Sequence, residues 1–353
     1  MQMPQPFLSI RTLLAVAAAG TGLLGAALIV SGVVTVPTAS AAGGSANGVA
    51  VHSATATLTD AQIEAQNQLA VNVMNEQAMQ PKVLADGTKE FDFTASTFQW
   101  ALYPGKTEQA WGINQQVPGP VIRLTVGDKV KFVVHNDLPE PTTVHWHGLA
   151  VPNDMDGVPD MPVPPIPQGG SYTYSFTVTK QMIGTHWYHS HYDDDFQVDS
   201  GMNGVIIVDP ADTSTLPHYD EDALFVLGAT KVDGVDPENA FTIDGKSYPY
   251  APQLTVHKGD KVLLRLVNTS AESYHAMTLD GYTLNIVAQD GQPLPDPEAV
   301  SVVSIAPSET VDVTFTADQT GDWLFHDTIQ GNLTNPDDKS DTLGGAETVI
   351  HVK

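Results

Sequence analysis

From residue 89 onward the chain is written in short segments where apolar and polar positions alternate: "EFDFTAS", "VIRLTV", "KVKFVVHN", "TTVHWHG", "SYTYSFTVT" and "GVIIVDP". Clusters of Gly, Pro and Asp separate them. A period of two puts every second side chain on one face, so each segment predicts a half-buried strand and the series an all-β sandwich. The pattern then returns. "LTVGDKVKFVVHN" (124–136) reappears as "LTVHKGDKVLLRLVN" (254–268), and "GTHWYHSH" (184–191) as "GDWLFHDT" (321–328). A spacing of about 130 residues is too long for a solenoid. It predicts two copies of one β domain, 89–212 and 213–353, joined near residues 210–220.

Two other textures precede the strands. In "TDAQIEAQNQLAVNVMNEQAMQP" (59–81), Thr59 and Gln62 form a capping-box pattern, and Ile63, Ala70, Val73 and Met74 share one helical face. The spacing predicts one amphipathic helix within a leader, 42–88, stopped by Pro81. Its apolar face would pack on the body or on a neighbouring subunit. Earlier still, Arg11, the apolar run "LLAVAAAGTGLLGAALIVSGVV" and the small residues "TASAAGG" follow the order of an export signal over 1–41, with an uncleaved N-terminal anchor as the alternative. Either form predicts a secreted or cell-surface protein.

Composition narrows the chemistry. The 353 residues contain no cysteine, so neither disulfides nor thiolate ligands are available. With 41 acidic residues against 15 basic ones the formal charge is −26, which makes nucleic acid and anionic membrane surfaces poor partners. Histidines stand out instead: "HWHG" carries His145 and His147, and "HWYHSH" carries His189 and His191. Residues i and i+2 of a strand face the same way, so each pair presents two imidazoles side by side, and two adjacent strands present four. Neutral imidazole suits copper and zinc. His186 has the opposite parity and is expected to point away.

With these motifs in view, "VPGPVIRLTVGD", "PEPTTVHWHGLAVPNDMDGVP", "PPIPQGGSYTYSFTV" and "GTHWYHSH" resemble the first domain of multicopper oxidases, the laccase-like family built from cupredoxin domains. The resemblance spans roughly residues 89–353. It implies two cupredoxin-like Greek-key β-sandwich domains, and His145, His147, His189 and His191 as first-domain ligands of a trinuclear copper cluster. In two-domain members that cluster lies between one subunit's first domain and the next subunit's second domain, in a ring of three.

The second half departs from the family's pattern. Where "HPMHLHGH" is expected the chain reads "HAMTLDGY" (275–282), and where "HCHxxxH" is expected it reads "HDTIQGN". His275 matches a type 1 copper ligand and His326 a cluster ligand. Thr278, Asp280 and Thr328 stand at cluster-histidine positions, Asp327 at the type 1 cysteine, Asn332 at the second type 1 histidine and Ala346 at the axial methionine. A type 1 site needs a thiolate and two histidines, so the laccase route for taking electrons is closed. The remaining set is His145, His147, His189 and His191 with His326 and Asp280, enough for one or two ions, copper first and zinc as the alternative. Three readings follow: a secreted copper-binding protein assembling as a homotrimer; a copper oxidoreductase working without a type 1 centre; and a non-catalytic subunit completed by a paralogous partner.

Overall fold

The structure, a computed structural model, describes residues 57–337 and 343–353; the expected export signal and the start of the leader lie outside them. Among the described residues, twenty strands form two sandwiches of two sheets each. In the first, one sheet orders Lys82–Val83, Lys89–Tyr103, Lys129–Asn136 and Ser171–Thr177, with Lys106–Ile113 paired to the long strand. The facing sheet orders Ile122–Thr125, Asn203–Asp209, Gly184–His189 and His145–His147. Phe91, Phe93, Phe132, Trp146 and Tyr188 fill the space between. They are the alternate residues that the period of two turns inward.

The second sandwich, with eleven strands to the first one's nine among the described residues, repeats the core of this plan. Lys89–Tyr103 runs parallel to Lys129–Asn136, as Glu221–Thr230 does to Lys261–Asn268. Ile122–Thr125 runs parallel to Asn203–Asp209, as Leu254–Val256 does to Glu347–Val352. His145–His147 lies antiparallel to Gly184–His189, as His275–Leu279 does to Gly321–Asp327. The internal repeat is therefore a repeat of pairing, and the two histidine-bearing motifs occupy equivalent sheet positions.

The leader ties the sandwiches together. Helix Asp60–Met74 starts on the Thr59–Gln62 capping box and buries Ala70, Val73 and Met74. It packs on the body, against Lys89–Tyr103 of one sandwich and Glu221–Thr230 of the other. Val73 joins Val121, Trp187, Val205, Leu224, Val226 and Val267 in an apolar cluster between them. The helix ends at Met74, seven residues before Pro81. Glu76 takes a left-handed φ of 51°, and its buried carboxylate accepts from Arg123 of the first sandwich and from Arg265 of the second at 2.8 Å. That tertiary ion cluster, extended by Asp209, Asp222, Asp312 and Thr185, outweighs the local helical preference.

Candidate metal centre

Strand pairing brings the first-domain histidines together. His145 sits opposite His189, and His147 opposite Trp187, at the ends of their strands. One ring nitrogen from each of His145, His147 and His189 lies within 4.8 Å of the others. His145 donates from Nδ1 to the Asp156 carbonyl at 2.8 Å, and His189 from Nδ1 to the Ser190 carbonyl at 2.7 Å. These bonds set the tautomers and leave each Nε2 lone pair free for a metal. His147 turns its Nδ1 to 3.3 Å from the His189 Nε2. Two basic nitrogens that close share one proton or one cation.

Burial keeps the group unprotonated. It lowers the His145 pKa, pulls His147 down to about 4 with the help of His145, and pulls His189 down to about 3 against its bond to Ser190. The Trp187 ring stacks on His189 at 4.1 Å, shielding one face. Neutral, oriented, clustered imidazoles are a donor set that fits copper or zinc.

Two expectations need correction. His191 is not a fourth strand-borne equivalent, because the strand ends at His189. Ser190 turns inward to bond Gln197 at 2.7 Å, with Thr142 bonded to the same amide, and the chain bends there. His191 is left on the open side, its ring 5.4 Å from that of His145. His186 is outside the group of three but is not turned away from it. It lines the same cavity as His147 and is wedged between Gly148 and Gly291, where a Cβ would come within 2.5 Å of its ring. The left-handed turn at Gly148, φ 83°, folds the chain back over it. The Asp156 and Ser190 carbonyls that orient the ligands were invisible in the sequence, since a backbone acceptor leaves no side-chain pattern.

His326 and Asp280 meet each other, Nε2 to Oδ1 at 3.3 Å, and are not part of the three-histidine group within one chain. His326 is paired with Thr278 on one side and Glu347 on the other, and its Nδ1 donates to the Asp327 carbonyl at 2.7 Å. Asp327 points the opposite way, fully buried. Its carboxylate accepts from His275 Nδ1 and Asn332 Nδ2, each at 2.8 Å, and from the amides of Ala276 and Ile329. Ser270 closes the far side of His275 at 3.2 Å, and Ala346 is buried alongside. The positions that the resemblance gives to a type 1 copper thus hold a hydrogen-bonded carboxylate–imidazole cluster.

Residues 94–213 and 218–347 each match a multicopper oxidase family profile. The chain belongs to the multicopper oxidase family. It is 29% identical over 265 residues to copper resistance protein A of Pseudomonas syringae pv. tomato, covering 59% of this chain and 43% of that protein. It is 32% identical to laccase-1 of Cryptococcus neoformans var. grubii, covering 63% and 40%. The chain therefore spans less than half the length of these curated relatives. Among solved structures it superposes on the blue copper oxidase from Nitrosomonas europaea with a TM-score of 0.69 at 30% identity, covering 74% of this chain and 85% of that one. For the multicopper oxidase mgLAC the values are 0.68, 32%, 75% and 86%. Both sandwiches are cupredoxin-like, and copper is the metal the family implies.

Proposed function

We propose that this multicopper oxidase homologue is an exported copper-binding protein that holds one or two copper ions through its first-domain histidines and has no type 1 copper. The observation that carries the reading is the group His145, His147 and His189, unprotonated and with two tautomers set by backbone carbonyls. His191 would complete the set from the open side. Copper held there would supply a one-electron couple. Support for the missing type 1 centre is the absence of cysteine from the sequence and the engagement of His275 by Asp327. A neighbouring chain's His326 and Asp280 would close the histidines in a homotrimeric ring. The exposed apolar side chains Tyr274, Val302 and Ile329 of the second sandwich favour such a contact.

Elemental analysis with visible and paramagnetic resonance spectra tests this. Bound copper without an intense blue band is expected; an intense blue colour, or no bound metal, overturns it. His145→Ala with His189→Ala should remove most of the copper, and His186→Ala should leave it in place. A second reading, a copper oxidoreductase, is favoured by the cavity of about 510 Å³ that opens beside His147 between the two sandwiches. Oxygen uptake with cuprous or ferrous ions or phenols would establish it.

A further inference from the structure

Gln197 is fully buried in the short helix Asp194–Asp199, and its side-chain amide makes three bonds. Its Oε1 accepts from Ser190 Oγ at 2.7 Å and from Thr142 Oγ1 at 2.8 Å, and its Nε2 donates to the Pro141 carbonyl at 2.9 Å. The Pro141 carbonyl can only accept, so it fixes which end of the amide faces the two hydroxyls. Ser190 and Thr142 are fully buried as well. In a low-dielectric interior such a satisfied network is stiff, and it sets its segments relative to one another.

All three partners adjoin the histidine group. Pro141 and Thr142 lead into the strand His145–His147, and Ser190 is the residue between His189 and His191. The Ser190 carbonyl takes the His189 Nδ1 proton at 2.7 Å, so the placement of Ser190 decides the tautomer that leaves Nε2 for a metal. Thr143, next to Thr142, accepts the His191 amide through Oγ1 at 3.0 Å. None of the three amide bonds returns to the helix of Gln197; they join the two segments that carry the ligands. Without Gln197, Ser190 loses its inward anchor and its carbonyl is free to turn away from His189.

We propose that Gln197 is a positioning residue for the histidine group, holding the backbone before His145 and the turn after His189 where the imidazoles converge. It touches no metal and acts through Ser190, Thr142 and Thr143. The inference deepens the copper reading and rests on it for the identity of the metal. The imidazole geometry that Gln197 governs exists without metal.

Nitrogen magnetic resonance of the histidine rings in the whole, metal-free protein tests this, together with copper affinity measured by competition with a chelator. In the wild type His189 should be the Nδ1–H tautomer. Gln197→Ala should mix the two tautomers and weaken copper binding about 10–100-fold, the range for groups that orient a ligand. Gln197→Glu keeps the length. Its carboxyl, neutral when buried, still gives a proton to Pro141 and accepts from Ser190, so it should restore both readouts. Gln66→Ala removes an amide that joins the helix Asp60–Met74 to Gln99 and Ala101, and should leave both unchanged. Should Gln197→Ala not fold, Ser190→Ala removes one of the three bonds and should move both readouts in the same direction. The proposal is overturned if the variant that folds keeps the wild-type tautomer and affinity, or if Gln66→Ala loses as much. A wild type that binds no copper overturns the copper reading alone; the His189 tautomer with and without Gln197 still decides this one.

Discussion

At the scale of single residues, the histidine group and the Asp327 cluster respond to acid in the same direction for different reasons. His147 and His189 have folded pKa values of about 4 and about 3, below the ordinary 6.5. Groups lowered in this way contribute stability above the unfolded value and lose it as pH falls through the folded one. The metal-free protein should therefore lose stability progressively below about pH 6.5. Chemical denaturation of the metal-free protein between pH 7 and pH 4 checks this; a stability that stays flat across that window would contradict the burial argument. For Asp327, burial pushes the carboxyl up, but the bonds from His275, Ile329 and Asn332 outweigh it and hold the pKa below the ordinary value. Asp327→Ala leaves these donors unpaired in a dry interior, and chemical denaturation should show a loss of about 3 kcal/mol.

At the scale of elements, the Asp60–Met74 helix is begun by local chemistry and anchored by remote chemistry. Thr59→Ala removes a cap and should cost about 1 kcal/mol. Glu76→Ala takes one buried carboxylate from Arg123 and Arg265, which keep Asp209, Asp222 and Asp312, and should cost about 2–3 kcal/mol. Thermal unfolding of the two variants should rank them in that order. The turn at Ile243–Lys246 plugs one sandwich into the other: Trp100 donates to the Gly245 carbonyl at 2.7 Å, and the Lys246 ammonium to the Ala101 carbonyl at 2.6 Å. That ammonium lies 3.8 Å over the Trp100 ring, and burial lowers its pKa to about 7. A depressed lysine adds stability as pH rises from about 7 towards its unfolded value near 10.4, and removes it as pH falls. Denaturation curves of Lys246→Met should lack this rise.

For the whole molecule, the proposed ring is the quantity to measure. Light scattering should give three chains per particle with and without copper, because sandwich-to-sandwich packing needs no metal. Ile329→Asp, placed at an exposed apolar position three residues after His326, should shift the particle towards one chain and weaken copper retention together. A wild-type protein that is monomeric in both states would remove His326 and Asp280 from the metal site.

What the sequence determined by itself was whatever is local or compositional. Alternation along "KVKFVVHN" or "SYTYSFTVT" sets which residues face inward wherever the strand ends up, so the all-β fold and its duplication were legible. His145 and His147 share a face because they are two residues apart on one strand. The absence of cysteine excludes a thiolate ligand in any fold. Only the tertiary structure decided the rest. Whether His191 continued the strand depended on Ser190 finding Gln197 and Thr142, which come from a following helix and a strand entrance more than forty residues earlier. The end of the helix depended on arginines 47 and 189 residues away from Glu76. His275 found a carboxylate 52 residues on, and the cavity beside His147 exists only between the two packed sandwiches. Periodicity records which way a side chain faces; what it meets there depends on packing between segments far apart in the chain, which no local pattern records.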